Sequence, residues 1–325
     1  MQTSTITIVG MERTGLSIAM ALREGSLPFT LIGHDSEPSR LKEQHVIAAV
    51  HRTETDLVRA CEAADIVVLA MPVVELEPTL KMIGEHLQEH TLVIDLTALK
   101  EPGVRWAKQF LRRGHYVGAR PIFAASTFGQ MQESSLAARA DLFRNSVFCV
   151  MPAADVEPDA VETTVRFGQL LGAVPYFVDP LEYDQMSLGV ETLPGASAAA
   201  MLRSISRTAG WRDILRYADL PFAVATLPID FHPEDLAYLL LHDRDASGRW
   251  LQGLIDELGA LQRLVRDGEA EILNAYLQEL DATRDKWLQE RSANDWNETK
   301  TEAVELPTFR EQFLGSLASR RGDRD

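Results

Sequence analysis

The chain has 325 residues, 46% of them hydrophobic and 25% charged, with a net charge of -16; this is an ordinary globular composition, long enough for two domains of roughly 100 to 200 residues each. The acidic balance, with a pI near 5.0, excludes nucleic acid and anionic membrane as expected partners, because either polyanion would be repelled over most of the molecule. A small molecule is the partner to expect. Cys61 and Cys149 have no metal-ligand spacing, no basic stretch precedes an apolar run at the N-terminus, and no segment approaches the ~20 apolar residues of a membrane span. Buried thiols, no metal and a cytoplasmic location are therefore expected.

The first element is the β-like run "STITIV", followed by the turn "VGMERTG" and the helix-like "LSIAMALREG", which puts Leu16, Ala19 and Met20 on one face. Strand, glycine turn and helix make a dinucleotide cradle. Gly10 and Gly15 fill the first and third places of Gly-x-Gly-x-x-Gly, making the tight turn and allowing close helix-to-strand packing. Glu12 stands in the second place, where it adds a side chain and a negative charge at a helix N-terminus that otherwise attracts a diphosphate. Gly10, Met11, Glu12, Arg13, Thr14 and Gly15 are thus the candidate phosphate loop, with Arg13 expected to neutralise Glu12 or reach a phosphate and Thr14 to cap the helix. The second strand, "FTLIG", leads to Asp35, where an acidic side chain holds the adenine ribose hydroxyls and favours NAD over NADP. His34, Ser36 and Arg40 are the nearby groups that could meet a 2′-phosphate instead.

Farther on, "DIVVLAMP", "TLVIDL", "HYVGARP", "SVFCVMP" and "VPYFV" read as strands, and "DLVRACEAA" and "VELEPTLKMIGEHL" as helices between them. The alternation predicts an α/β fold, a Rossmann-type doubly wound and mostly parallel sheet, over residues 1–178. From Asp179 the chain turns to Leu, Ala, Glu, Gln and Arg, which predicts an all-helical domain over 179–291, a candidate dimerisation domain because of its apolar stripe. Leu251, Leu254, Leu258, Leu261 and Val265 form a stripe that resumes at Leu273, Leu277 and Leu280 after a break at Asp267-Gly268. Such a stripe needs burial, within an intramolecular bundle or against a second copy. Residues 292–325 read as a tail with one apolar patch from Phe309 to Leu317.

The stretches "ADIVVLAMPV", "VIDLTALKEPG", "ARADLFRNSVFCVMP", "VDPLEYDQMSLGVETLPGASAAAML" and "GWRDILRYADL", with the helices after them, follow one another over about residues 4 to 290. In this order the chain resembles the prephenate and arogenate dehydrogenases of tyrosine biosynthesis. The resemblance implies a Rossmann domain, a helical domain through which two subunits form a homodimer, and oxidation of a carboxylated 4-hydroxycyclohexadienyl substrate by NAD or NADP. Hydride leaves the carbinol carbon, a histidine accepts a hydrogen bond from the hydroxyl, and decarboxylation aromatises the ring. It also places Met71 and Pro72 beside the cofactor, and Arg216 at the arginine that meets a substrate carboxylate.

The departures fall on the site. Arg120 stands where the family has its histidine, and a guanidinium has donors only. Ala98 stands at a family serine, with Thr97 as a neighbouring substitute. Glu191-Thr192-Leu193-Pro194-Gly195 replaces Ser-His-Leu-Pro-His, so Thr192 and Gly195 take the two histidine positions, while Asp95 and Lys100 are kept. No other histidine offers itself as a base: His115 begins a strand and so lies at the far end of the sheet, and His34, His232 and His242 read as surface or core residues. Three functions stay open: a dehydrogenase of this class with altered site chemistry, a non-catalytic dimer that binds a nucleotide or metabolite, and an oxidoreductase in which Arg120 clamps a different anionic alcohol.

Overall fold

The computed structural model describes residues 4–25, 29–128, 138–229 and 232–294; the apolar patch at 309–317 lies outside them. The first part alternates strand and helix: β1 (Ser4–Val9), α1 (Arg13–Glu24), β2 (Phe29–His34), α2 (Gln44–Ala49), β3 (Arg52–Thr53), α3 (Leu57–Cys61), β4 (Ile66–Leu69), α4 (Leu76–Ile83), β5 (Leu92–Asp95), α5 (Glu101–Phe110), β6 (His115–Pro121), β7 (Val147–Met151), α6 (Pro158–Leu170) and β8 (Val174–Phe177). These strands form one sheet in the order β3-β2-β1-β4-β5-β6-β7-β8. Chain order reverses between β1 and β4, and such a switch point opens a crevice beyond the carboxyl ends of the strands.

The central strands have fully buried apolar side chains, such as Ile6 and Ile8 on β1 and Val67 and Val68 on β4, as expected for a sheet covered on both faces. Two features go beyond the sequence reading. The two-residue β3 pairs with β2 beyond the predicted strands, and β7 runs antiparallel to β6 while β8 is parallel to β7.

After β8 every described element is helical: α7 (Pro180–Ser187), a π-helical turn at Leu188–Thr192, α8 (Leu193–Ser206), α9 (Trp211–Ile214), α10 (Leu220–Thr226), α11 (Pro233–His242), α12 (Arg244–Asp267) and α13 (Ala270–Ala293). Two carboxylates from these helices cap helix starts beyond the sheet. Asp184 on α7 accepts the N–H groups of Lys100 at 2.7 Å and Glu101 at 2.8 Å, at the start of α5. Asp235 on α11 accepts those of Val73 at 3.0 Å and Val74 at 3.1 Å, at the 3-10 turn before α4. Each satisfies two amide donors that a helix start leaves without intrahelical partners.

Asp95 and Lys100, kept in the sequence, form a buried structural group. The Lys100 ammonium donates to the carbonyls of Asp95 and Thr97 at 2.9 and 2.7 Å, and the Tyr116 hydroxyl donates to the Asp95 carboxylate at 2.6 Å.

Gly268, with φ +75°, ends α12 at the predicted break. Ile255, Leu258 and Val265 on α12, and Leu277 and Leu280 on α13, are about half or more exposed. Leu251, Leu254, Leu261 and Leu273 of the stripe are partly buried, so packing within one chain covers it only in part. Among the described residues no helix is long and apolar enough to cross a membrane.

Candidate active site

A cleft follows the carboxyl ends of β1, β4, β5 and β6 and is roofed by the π-turn, α8 and α11. It has two halves, of about 680 Å³ beside β2 and about 530 Å³ toward β6, which share Glu12, Ala70, Met71, Pro72 and His232.

The first half is built around the glycine turn. Gly10 has φ +93°, and a Cβ there would lie 2.3 Å from the Ala70 carbonyl oxygen; one on Gly15 would lie 1.9 Å from the Gly10 oxygen. Both positions require glycine, and the turn shape a dinucleotide cradle needs is present. Met11 is a core residue and its side chain lines neither half of the cleft: it is buried, and its N–H donates to Asp35 at 2.8 Å. The Asp35 carboxylate is buried as well, and it also accepts from the Glu37 N–H at 2.9 Å and from Arg40 at 2.9 and 3.1 Å.

Glu12 behaves differently from the expectation. Its carboxylate is held by Arg40 at 3.1 Å and His232 at 2.9 Å, not by Arg13. Arg13 points the other way, over the Phe123 ring at 4.2 Å, because helix α1 begins at Arg13 and sends consecutive side chains in different directions. Thr14 does not cap that helix: the N-cap position is Glu12, which makes no side-chain capping bond, while Thr14 lines the second half of the cleft. His232, read from the sequence as surface or core, stands where the two halves meet. His115 has the expected place, its N–H on the Thr91 carbonyl at the start of β6.

In the second half, Arg120 extends from the carboxyl end of β6. It donates to the Leu96 carbonyl at 2.9 Å and to Glu191 Oε2 at 2.8 Å; the Tyr183 hydroxyl donates to Glu191 Oε1 at 3.0 Å. Burial acts to lower the Arg120 pKa, but Glu191, Tyr183 and Asp95 outweigh it and raise it above its ordinary value. Burial, then the Glu191 charge, holds the Tyr183 phenol well above its ordinary range and so protonated. Arg120 is thus a permanent cation, and Glu191, Tyr183 and Arg120 form one connected group.

Ala98 and Gly195 line this half. A Cβ on Gly195 would come within 3.0 Å of Leu236, so the absence of a side chain there lets α11 approach. Three expected site residues are not brought to the cleft. Thr97 is buried with its N–H on Asp95 and its hydroxyl toward the Leu99 carbonyl, so it does not substitute for a serine at 98. Thr192 is buried where the π-turn meets α8 and does not line the cavity. Arg216 has an 80% exposed side chain, 3.6 Å from Asp213, because the short helix α9 lies on the outside of the chain. Sequence reasoning missed Glu191, His232, Asp235 and Phe123; the one available signal was that Glu191 begins an altered motif.

Fold and cleft define a Rossmann-type dinucleotide-binding protein with a helical region closing over the nucleotide edge of its sheet. Residues 18–177 match the family described as "Prephenate dehydrogenase, nucleotide-binding domain". Over this stretch, just under half of the chain, the protein is similar to the nucleotide-binding domain of prephenate dehydrogenases. It is 24% identical over 247 residues to the prephenate dehydrogenase of Lactococcus lactis subsp. cremoris, a match that covers 70% of this chain and 65%, just under two thirds, of that relative. The crystal structure of prephenate dehydrogenase from Aquifex aeolicus in complex with hydroxyphenyl propionate and NAD+ has a similar fold, with a TM-score of 0.74 at 21% identity over 88% of this chain and 99% of that one. The Synechocystis arogenate dehydrogenase structure gives 0.63 at 22% identity over 87% and 99%.

Proposed function

We propose that the protein is a nicotinamide-dependent dehydrogenase that oxidises a carboxylated cyclohexadienol of the prephenate type. The observation that carries this reading is one cleft leading from the glycine turn at Gly10, past Met71 and Pro72, to the polar group of Arg120 and Glu191. A substrate alcohol bound at that group faces the nucleotide half. Gly10, the N-terminus of α1, Met71 and Pro72 would hold the dinucleotide, which supplies the hydride acceptor. The chain's own residues bind and orient the alcohol and exclude water around it. NAD is the preferred form, because Asp35, Glu37 and Glu12 surround Arg40 and would repel a 2′-phosphate.

Two copies pair through the exposed stripe on α12 and α13, and Arg216, which faces solvent within one chain, would meet a substrate carboxylate from the second copy. A non-catalytic, nucleotide-binding dimer is the second reading, favoured by the acidic side chain of Glu12 in the phosphate turn. The third, a carboxylate clamp at Arg120, is weakened by the carboxylate that already occupies this arginine.

The test mixes full-length protein with NAD or NADP and prephenate, following reduced-cofactor absorbance beside a cofactor titration. Turnover above a boiled control removes the non-catalytic reading. No binding of either cofactor at millimolar concentration removes both dehydrogenase readings.

A further inference from the structure

Oxidation of an alcohol by hydride loss leaves a hydroxyl proton that must go to an acceptor. Arg120, at the end of β6, has donors only. Among the described carboxylates lining this half of the cleft, two are committed elsewhere. Asp235 receives one N–H on each oxygen, from Val73 and Val74. Glu12 is held by Arg40 and His232, and the His232 Nε2 is engaged in that same pair. Glu191 also takes one donor on each oxygen, from Arg120 at 2.8 Å and Tyr183 at 3.0 Å, with accepting capacity left on both, but it is the carboxylate that stands at Arg120 on the end of β6, whereas Asp235 caps a helix start and Glu12 stands at the phosphate turn. Its side chain is 26% exposed and lines the cavity. The π-helical turn Leu188–Thr192 carries it there, and such turns are frequent at functional sites.

We infer that Glu191 is the group that accepts the substrate hydroxyl's hydrogen bond and proton, with Arg120 and Tyr183 as positioning residues that fix its carboxylate. The inference rests on the dehydrogenase reading above. The carbinol carbon loses its hydrogen with both electrons to the nicotinamide dinucleotide, which is thereby reduced. The carbon–oxygen single bond becomes a carbonyl, and the hydroxyl proton forms an O–H bond on Glu191, from which it passes to water. Two positions read from the sequence as separate departures, 120 and 191, are thus one paired arrangement that keeps an acceptor in the cleft.

Binding can be read apart from turnover. Calorimetry with 3-(4-hydroxyphenyl)propionate and 3-phenylpropionate, each added to the NAD-loaded protein, should show the hydroxylated ligand binding about tenfold tighter, as a hydrogen bond to a charged acceptor implies. Glu191→Ala should erase that preference and leave 3-phenylpropionate binding unchanged. Glu191→Gln keeps an oxygen for Arg120 and so guards against loss of fold; it should retain cofactor affinity and lower kcat with prephenate by about a hundredfold or more. Equal affinity of the two ligands for the unaltered protein, absence of binding by both, an undiminished preference in Glu191→Ala, or full turnover by Glu191→Gln would overturn the inference while leaving NAD reduction by the unaltered protein intact. An unaltered protein that shows the preference but never reduces NAD overturns the dehydrogenase reading and the proton-accepting role with it.

Discussion

Glu12 shows how an acidic side chain fits a dinucleotide turn: Arg40 from the loop after β2 and His232 before α11 draw its carboxylate aside. Its charge still lies at the N-terminus of α1, where it opposes a bound diphosphate. Glu12→Gln should therefore tighten NAD binding about threefold to tenfold, on the order of 1 kcal/mol, in a fluorescence titration; weaker binding would mean that the carboxylate organises the site. Gly10 allows no such latitude. Gly10→Ala places a Cβ against the Ala70 carbonyl at a φ of +93°, and strain of about 1–3 kcal/mol is expected. The predicted outcome is a lower Tm together with lost NAD binding; retention of both would show that the turn can shift. Gly10 was legible because its role is local, set by a turn and the strand beside it. Glu12's partners were not, because Arg40 lies 28 and His232 220 positions away.

Among elements, the contact between α7 and α5 rests on Asp184, whose carboxylate receives two N–H groups. Burial nevertheless raises its pKa from the usual 3.8 to about 6, against the opposing pull of those two donors and Lys100. A carboxyl with a raised folded-state pKa binds its proton more tightly in the native state. Its stabilising contribution is complete below pH 3.8 and is lost as pH rises through about 6. The unaltered protein should therefore lose stability relative to Asp184→Asn by on the order of 2 kcal/mol between about pH 4 and pH 7. Urea denaturation of both proteins at the two pH values checks this, and a difference independent of pH would refute it. The strands were readable from β-branched runs bounded by turns, but the direction of β7 was not, since hydropathy carries no record of which way a neighbouring strand runs.

At the scale of the whole molecule, the apolar stripe that continues from α12 into α13 is only partly covered within one chain, with Leu258, Val265, Leu277 and Leu280 left exposed. Water contact along such a stripe is unfavourable by roughly 25 cal/mol per Å² of apolar surface, which argues for a second copy over it. Light scattering should give twice the 36.2 kDa chain mass, and Leu258→Asp with Leu277→Asp should shift the population to monomer. A monomer at micromolar concentration in the unaltered protein would rule the pairing out. If Arg216 acts from the second copy, the same double substitution should raise KM for prephenate with little change in NAD affinity.

The sequence by itself determined the α/β fold, the glycine turn and the helical second part, because periodicity, turn chemistry and strand composition act over a few residues at a time. Tertiary structure alone decided which charged groups meet. It gave Glu12 to Arg40 and His232, turned Thr97 and Thr192 inward, left Arg216 in solvent and joined Arg120 to Glu191. Ion pairs form between side chains that the packing of separate elements brings within about 4 Å, and the 71 positions separating Arg120 from Glu191 hold no local pattern that could announce their pairing.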